Sequence, residues 1–161
     1  MIISGIHHIG LNSSNAARLI EFYKRAFGFE QVTDLAGWRD YPLADQLVGG
    51  ISTAASFAML RGPNCYVEIF QFDSPACTNR PPLKAWVRGF THLCCGVADV
   101  EAAHAELRAR GMEFLSDGPV DFGEIRAIYG RDVDGNLIEL IETDKEHAFA
   151  FDRLCTAVVA K

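Results

Sequence analysis

A chain of 161 residues, 49% hydrophobic and 22% charged, is enough for one globular domain or two small modules sharing a core, and too apolar to stay disordered. Its formal charge of −6, with no cluster of Lys and Arg among aromatics, excludes nucleic acid as a natural partner. No apolar run is long enough for a bilayer span, and the opening MIISGIHHIG has no export-signal pattern, so a cytoplasmic protein away from the membrane is expected.

In chain order, GIHHIGLN at 5–12 is a short strand with adjacent histidines. Neighbouring strand side chains point to opposite faces, so His7 and His8 cannot do the same job. Residues 13–28 read as a helix: Ser13 or Ser14 caps it, Ala16, Leu19, Ile20, Tyr23 and Phe27 form its apolar stripe, and Gly28 ends it. Strands are expected at 29–35, 52–61 and 65–72, with an insert at 36–51. Residues 74–88, which contain prolines, read as a linker.

A second strand, THLCCGV, carries His92. The helix at 99–111 follows, capped by Asp99, with Val100, Ala103 and Leu107 facing inward and Gly111 at its end. Further strands are expected at about 112–115, 123–130 and 136–143, then an amphipathic C-terminal helix with Phe151, Leu154 and Val158 at helical spacing. His104 and His147 fall in expected helices and read as solvent-facing. Cys65, Cys77, Cys94, Cys95 and Cys155 are odd in number and form no CxxC, which points to reduced, mostly buried thiols.

The plan therefore occurs twice. His8 to Gly28 and His92 to Gly111 span nearly equal lengths, and YVEIFQF in the first half matches LIELIET in the second. Each places one glutamate, Glu68 or Glu139, between apolar neighbours. His7 has no counterpart, because residue 91 is Thr, so His8 is the expected ligand and His7 a bystander. The fold class is α+β: βαβββ modules at 5–73 and 89–143, the linker 74–88 between them and a helix at 144–161, in a single domain over 1–161.

On strand alternation Glu68, Phe70 and Phe72 share one face opposite Val67 and Ile69, and Glu139 and Ile141 share one opposite Ile138 and Leu140. A charged, unpaired carboxylate among such neighbours is costly. Taken singly, Glu139 has Arg126 or Arg131 as a candidate partner, and Glu68 has Arg61. Taken together, one His and one Glu per repeat, related by a pseudo-twofold axis, can converge on a divalent ion. Imidazole with carboxylate suits Fe, Ni, Co, Mn or Zn, and two carboxylates neutralise its charge.

HHIGLN…FYKRAFGF, YVEIF, THLCCGVADVEAA and DVDGNLIELIE, together covering about 5–143, resemble the vicinal oxygen chelate superfamily of glyoxalases, bleomycin-resistance proteins and extradiol dioxygenases. The resemblance implies paired modules forming a cupped mixed sheet around a metal, often completed in a homodimer, with ligand positions at His8, Glu68, His92 and Glu139. This set is most similar to that of bacterial glyoxalase I, in which a metal-bound glutamate moves a proton beside a chelated carbonyl. The related methylmalonyl-CoA epimerase usually has Gln where this chain has Glu68. Asn12 replaces an arginine that helps glyoxalase I bind glutathione, which argues against glutathione here.

The implied function is thus a divalent-metal-dependent lyase, isomerase or epimerase acting on a small molecule, with Glu68 or Glu139 as general base. An Fe(II) extradiol-type dioxygenase, which needs only His8, His92 and Glu139, is one alternative; a non-catalytic resistance-type binding protein is the other. Trp38, Phe70, Phe72, Arg126 and Tyr129 are candidates for the substrate pocket, ordinary packing being an equal reading for Trp38 and Arg126.

Overall fold

The computed structural model describes residue 3 and residues 5–78 and 81–154. The chain divides into two compact units between Pro81 and Pro82. The first contains β1 (His8–Asn12), α1 (Ala16–Phe27), β2 (Glu30–Gln31), β3 (Ala36–Arg39), α2 (Pro42–Val48), β4 (Ala54–Arg61) and β5 (Tyr66–Ser74). The second contains β6 (His92–Gly96), α3 (Val100–Ala109), β7 (Glu113–Phe114), β8 (Val120–Asp121), β9 (Ile125–Arg131) and β10 (Leu137–Thr143). Each unit has one five-stranded sheet, ordered β1-β5-β4-β2 with β3 beside β4, and β6-β10-β9-β7 with β8 beside β9. β1 on β5 and β6 on β10 are parallel and the other pairings antiparallel, so the protein is α+β with two mixed sheets.

Local chemistry explains the helix ends. Asn15, one or two residues later than expected, caps α1, its Oδ1 accepting from Arg18 N at 3.1 Å. Ser13 instead makes the turn before it, accepting from Asn15 N. Gly28 closes α1 at φ 69°, a left-handed conformation suited to glycine. Asp99 caps α3 by accepting from Ala102 N at 2.9 Å. Each helix start is also tied to the sheet beneath it: Ala16 N donates to Gln71 Oε1 at 3.0 Å, and Val100 N donates to Glu142 Oε2 at 2.8 Å.

The cores lie between helix and sheet. Ala58, Leu60, Val67 and Ile69 are fully buried in the first unit, as are Ile138 and Leu140 in the second. Each larger aliphatic side chain so enclosed contributes about 1.5–3 kcal/mol. Phe22 and Ala26 join the buried stripe of α1, and Phe27 lies half-buried at its margin, stacked on Tyr23. His104 departs from expectation: it is 7% exposed and meets the Phe114 ring edge-on at 4.5 Å. It lies four residues after Val100 and three before Leu107, so the apolar stripe of α3 carries it inward. His147 also turns from solvent; it lies in a turn, its side chain only 15% exposed.

The 36–51 insert holds β3 and α2, which the sequence pattern did not reveal, and β8 was missed as well. Gly37 lets β3 press against β4, since a Cβ there would fall 1.8 Å from the Ala55 carbonyl oxygen. Helical structure begins again at 151–154; the remainder of the expected C-terminal helix, with Cys155 and Val158, lies outside the described residues. Cys65, Cys77, Cys94 and Cys95 are free thiols, Cys94 exposed and the others half-buried, a more open placement than expected. No helix among the described residues is long and apolar enough to cross a membrane.

Candidate metal half-sites

The parallel strand pairs place the two His–Glu couples in one register. His8 opens β1 opposite Tyr66, and Glu68 stands two residues beyond Tyr66. His92 opens β6 opposite Leu137, and Glu139 stands two residues beyond Leu137. His8 Nε2 is 3.3 Å from Glu68 Oε2, and His92 Nε2 is 3.1 Å from Glu139 Oε2. Two donors at about 2.1 Å from a metal and at right angles to each other are about 3.0 Å apart, so each couple has the bite of a divalent-ion clamp. Within either unit the described residues supply such a couple and no group of three or more His, Cys, Asp or Glu placed to hold a metal ion.

The arginines that sequence offers these carboxylates are engaged elsewhere. Arg61 pairs with Glu30, Arg126 donates to both oxygens of Glu142 at 2.7 Å, and Arg131 donates to the carbonyls of Leu83 and Gly135. Arg126 is three residues from Tyr129 on β9 and opposite Glu142, which puts it on the sheet face away from Tyr129 and Glu139. It therefore joins the start of α3, not the candidate site.

The residue before each histidine touches its other ring nitrogen. His7 Nδ1 is 2.9 Å from His8 Nδ1, and Thr91 Oγ1 is 2.9 Å from His92 Nδ1. With a metal ion between Nε2 and the carboxylate, a proton on Nδ1 would donate to His7 or Thr91 and leave the Nε2 lone pair for a ligand bond. The sequence pattern missed these contacts because His7 and Thr91 lie before the regular strands.

The carboxylates differ in their surroundings. Tyr129, opposite Glu139, donates its hydroxyl to Oε2 at 3.2 Å, and Cys94 is the parallel-strand neighbour of Glu139. Loss of water around the Tyr129 hydroxyl and, although Cys94 as a whole residue is exposed, around its thiol, then the Glu139 charge, push both up to about 12. At the corresponding places around Glu68 stand Met59 and Gly10, neither with a polar side-chain hydrogen. On the Glu68 face, Phe70 and Phe72 are joined by Trp38 and by Phe57, which lies opposite Phe70. Phe57 escaped the sequence reading because its place depends on the register of β4 against β5.

Residues 5–140 match the Glyoxalase/Bleomycin resistance protein/Dioxygenase superfamily. A 2-epi-5-epi-valiolone epimerase from Actinomyces sp is 31% identical over 129 residues, 71% of this chain and 67% of that enzyme. A virulence protein of Salmonella typhimurium is 28% identical over 145 residues, 87% of this chain and 85% of that protein. A glyoxalase family protein from Bacillus cereus superposes with a TM-score of 0.74, covering 86% of this chain and 93% of that one at 20% identity, a likeness of fold. By the extent of the family match and by its paired mixed sheets, this chain belongs to the Glyoxalase/Bleomycin resistance protein/Dioxygenase superfamily.

Proposed function

We propose that this protein is a divalent-metal-dependent enzyme of the lyase, isomerase or epimerase kind, moving a proton beside a carbonyl of a small molecule. The observation that carries the reading is the repeated clamp, one imidazole Nε2 and one carboxylate oxygen 3.1–3.3 Å apart in the same strand register of each unit. His8, Glu68, His92 and Glu139 would hold one ion, and an N,O donor set suits Ni, Co, Fe, Mn or Zn. When bound, the ion supplies Lewis-acid polarisation of the substrate oxygens, which acidifies the neighbouring C–H. The 31% identical relative, an epimerase by name, supports proton transfer as the class of reaction.

The side chains divide the remaining work. His7 and Thr91 orient the ligand histidines through their Nδ1 atoms. Glu139 is held by the Tyr129 hydroxyl, which keeps its own proton at neutral pH, and serves mainly as a ligand. Glu68, facing Met59 and no hydroxyl on that neighbouring strand, has its lone pairs free of such a donor and serves as general base. It takes the proton from the carbon beside the carbonyl and passes it to solvent, and a proton delivered from water to the opposite face of that carbon completes an epimerisation.

The test is anaerobic incubation of nickel- or cobalt-reconstituted protein in deuterium oxide with a panel of hydroxyketones, 2-epi-5-epi-valiolone among them. Deuterium incorporated beside the carbonyl of a panel member is expected. Oxygen uptake on a catechol, with no deuterium exchange in any hydroxyketone, would replace this reading with ring cleavage.

A further inference from the structure

The sheet face that bears Glu68 continues into four aromatic rings. Across the strands, Gly10, Glu68 and Met59 form one row; Asn12, Phe70, Phe57 and Ala36 form the next; Phe72, Ala55 and Trp38 form a third. Rows on one face are about 7 Å apart, so the rings begin a single pleat repeat from the carboxylate. The opposite face of the same strands is the closed core, where Leu60, Val67 and Ile69 are fully buried. Trp38, Phe57, Phe70 and Phe72, by contrast, are half-buried and keep part of their surface open.

The rings form a corner. Phe70 and Phe72 lie 28° from parallel with centroids 5.6 Å apart, and Phe57 is tilted 30° from Phe70. Trp38 stands nearly upright to both, at 80° and 87°. A flat ring placed there meets offset faces on one side and an edge on the other, the two arrangements that aromatic pairs prefer. The corner is preformed, because Trp38 Nε1 donates to Thr53 Oγ1 at 2.9 Å. Thr53 is itself buried and held by Asp45, so little freedom is lost when a ligand arrives.

The second unit offers no such surface. Its corresponding row is Gly96, Ile141, Ala127 and Val120, and the chain's own Phe151 lies over Gly96, 3.2 Å from where a Cβ would stand. That row carries no aromatic ring of its own and has Phe151 over one end, while the row beside Glu68 is ring-lined and half-buried.

We propose that Trp38, Phe57, Phe70 and Phe72 bind a flat aromatic or unsaturated ring carried by the substrate next to its metal-chelating oxygens. The inference rests on the metal-dependent reading above and narrows its substrate to metal-chelating compounds that also carry a flat ring.

The test compares acetohydroxamate with 2-naphthohydroxamate, which share a chelating head, by calorimetric titration of cobalt-loaded protein. Wild type should bind the naphthyl compound about tenfold or more tightly. Phe57→Leu and Phe72→Leu, which keep apolar bulk but remove a ring, should bring the ratio toward one. Equal affinities in wild type, or an unchanged ratio in both variants, would overturn the proposal. A metal-independent arm uses Trp86→Phe, leaving Trp38 as the sole indole, and 2-naphthol, which has no chelating head. If neither hydroxamate binds but 2-naphthol quenches Trp38, and Phe72→Leu weakens that quench, the ring site stands and the metal reading falls. If 2-naphthol leaves Trp38 unquenched as well, the ring site falls too.

Discussion

His7 Nδ1 lies 2.9 Å from His8 Nδ1, and the next unit repeats the contact with Thr91 Oγ1 on His92 Nδ1. On the metal reading proposed above, two chemically different residues would perform one task, fixing which imidazole nitrogen carries the proton. On the metal reading, His8→Ala should abolish stoichiometric binding of nickel, measured by calorimetry on chelator-stripped protein. His7→Ala and Thr91→Val should each weaken it by about 10–100-fold, the usual effect of losing an outer-shell partner. Thr91→Ser should restore most of the loss. A His7→Ala protein that titrates like wild type would return His7 to the role of bystander.

The asymmetry around the carboxylates separates base from ligand. Glu68→Gln should lower the rate of deuterium exchange by about 10²-fold or more while metal content falls only modestly. Glu139→Gln should mainly weaken metal retention, and Tyr129→Phe should do the same to a smaller degree. Exchange rates and metal content of the three proteins, measured side by side, decide the assignment; the opposite order would make Glu139 the base.

Arg126 and Glu142 give a pH prediction that is independent of the metal. The Arg126 hydrogen bond, then the Val100 N–H, hold the Glu142 carboxyl below its usual range. The unfolded chain takes up this proton more readily, so the stabilisation is fully present above the ordinary glutamate value of about 4.3 and is lost as pH falls through the lowered folded value. Glu142→Gln should therefore lower Tm near neutral pH, and the gap to wild type should narrow below about pH 4.3. A gap that does not change with pH would assign the effect to packing.

Assembly is the fourth prediction. Among the described residues β1 and β6 each pair with one strand, and Trp86 and Phe90 are largely exposed. Open edges and bare rings of this kind are usually covered by a partner. Sedimentation at micromolar concentration should give twice the chain mass of 17.7 kDa; a species of 17.7 kDa would reject the dimer.

Much of this architecture was legible because it is written twice. The periodicity of residues 16–27 and the alternation around Glu68 and Glu139 each identify a face without knowledge of any contact partner. β3, β8 and α2 were not legible, since elements of two to seven residues hold too little pattern to stand above loop composition. For Arg126, read equally as pocket or packing, the odd spacing from Tyr129 already puts the two on opposite faces and favours packing. His104 shows the reverse failure: a polar residue type outweighed a helical position that points inward. The Tyr129–Glu139 and Phe57–Phe70 pairings depend on strand register, which one sequence does not specify residue by residue.

The register of the first sheet also separates two kinds of change. His8 and Glu68 belong to the parallel pair β1–β5, whereas Trp38, Phe57 and the insert with α2 belong to β3, β4 and their connection. On the proposed reading, substitutions or length changes in β3, β4 and their connection would reshape what the protein recognises and leave the spacing of the clamp intact. Selectivity would then be open to drift, or to a designer, one strand at a time, while the His8–Glu68 couple stays anchored on β1 and β5.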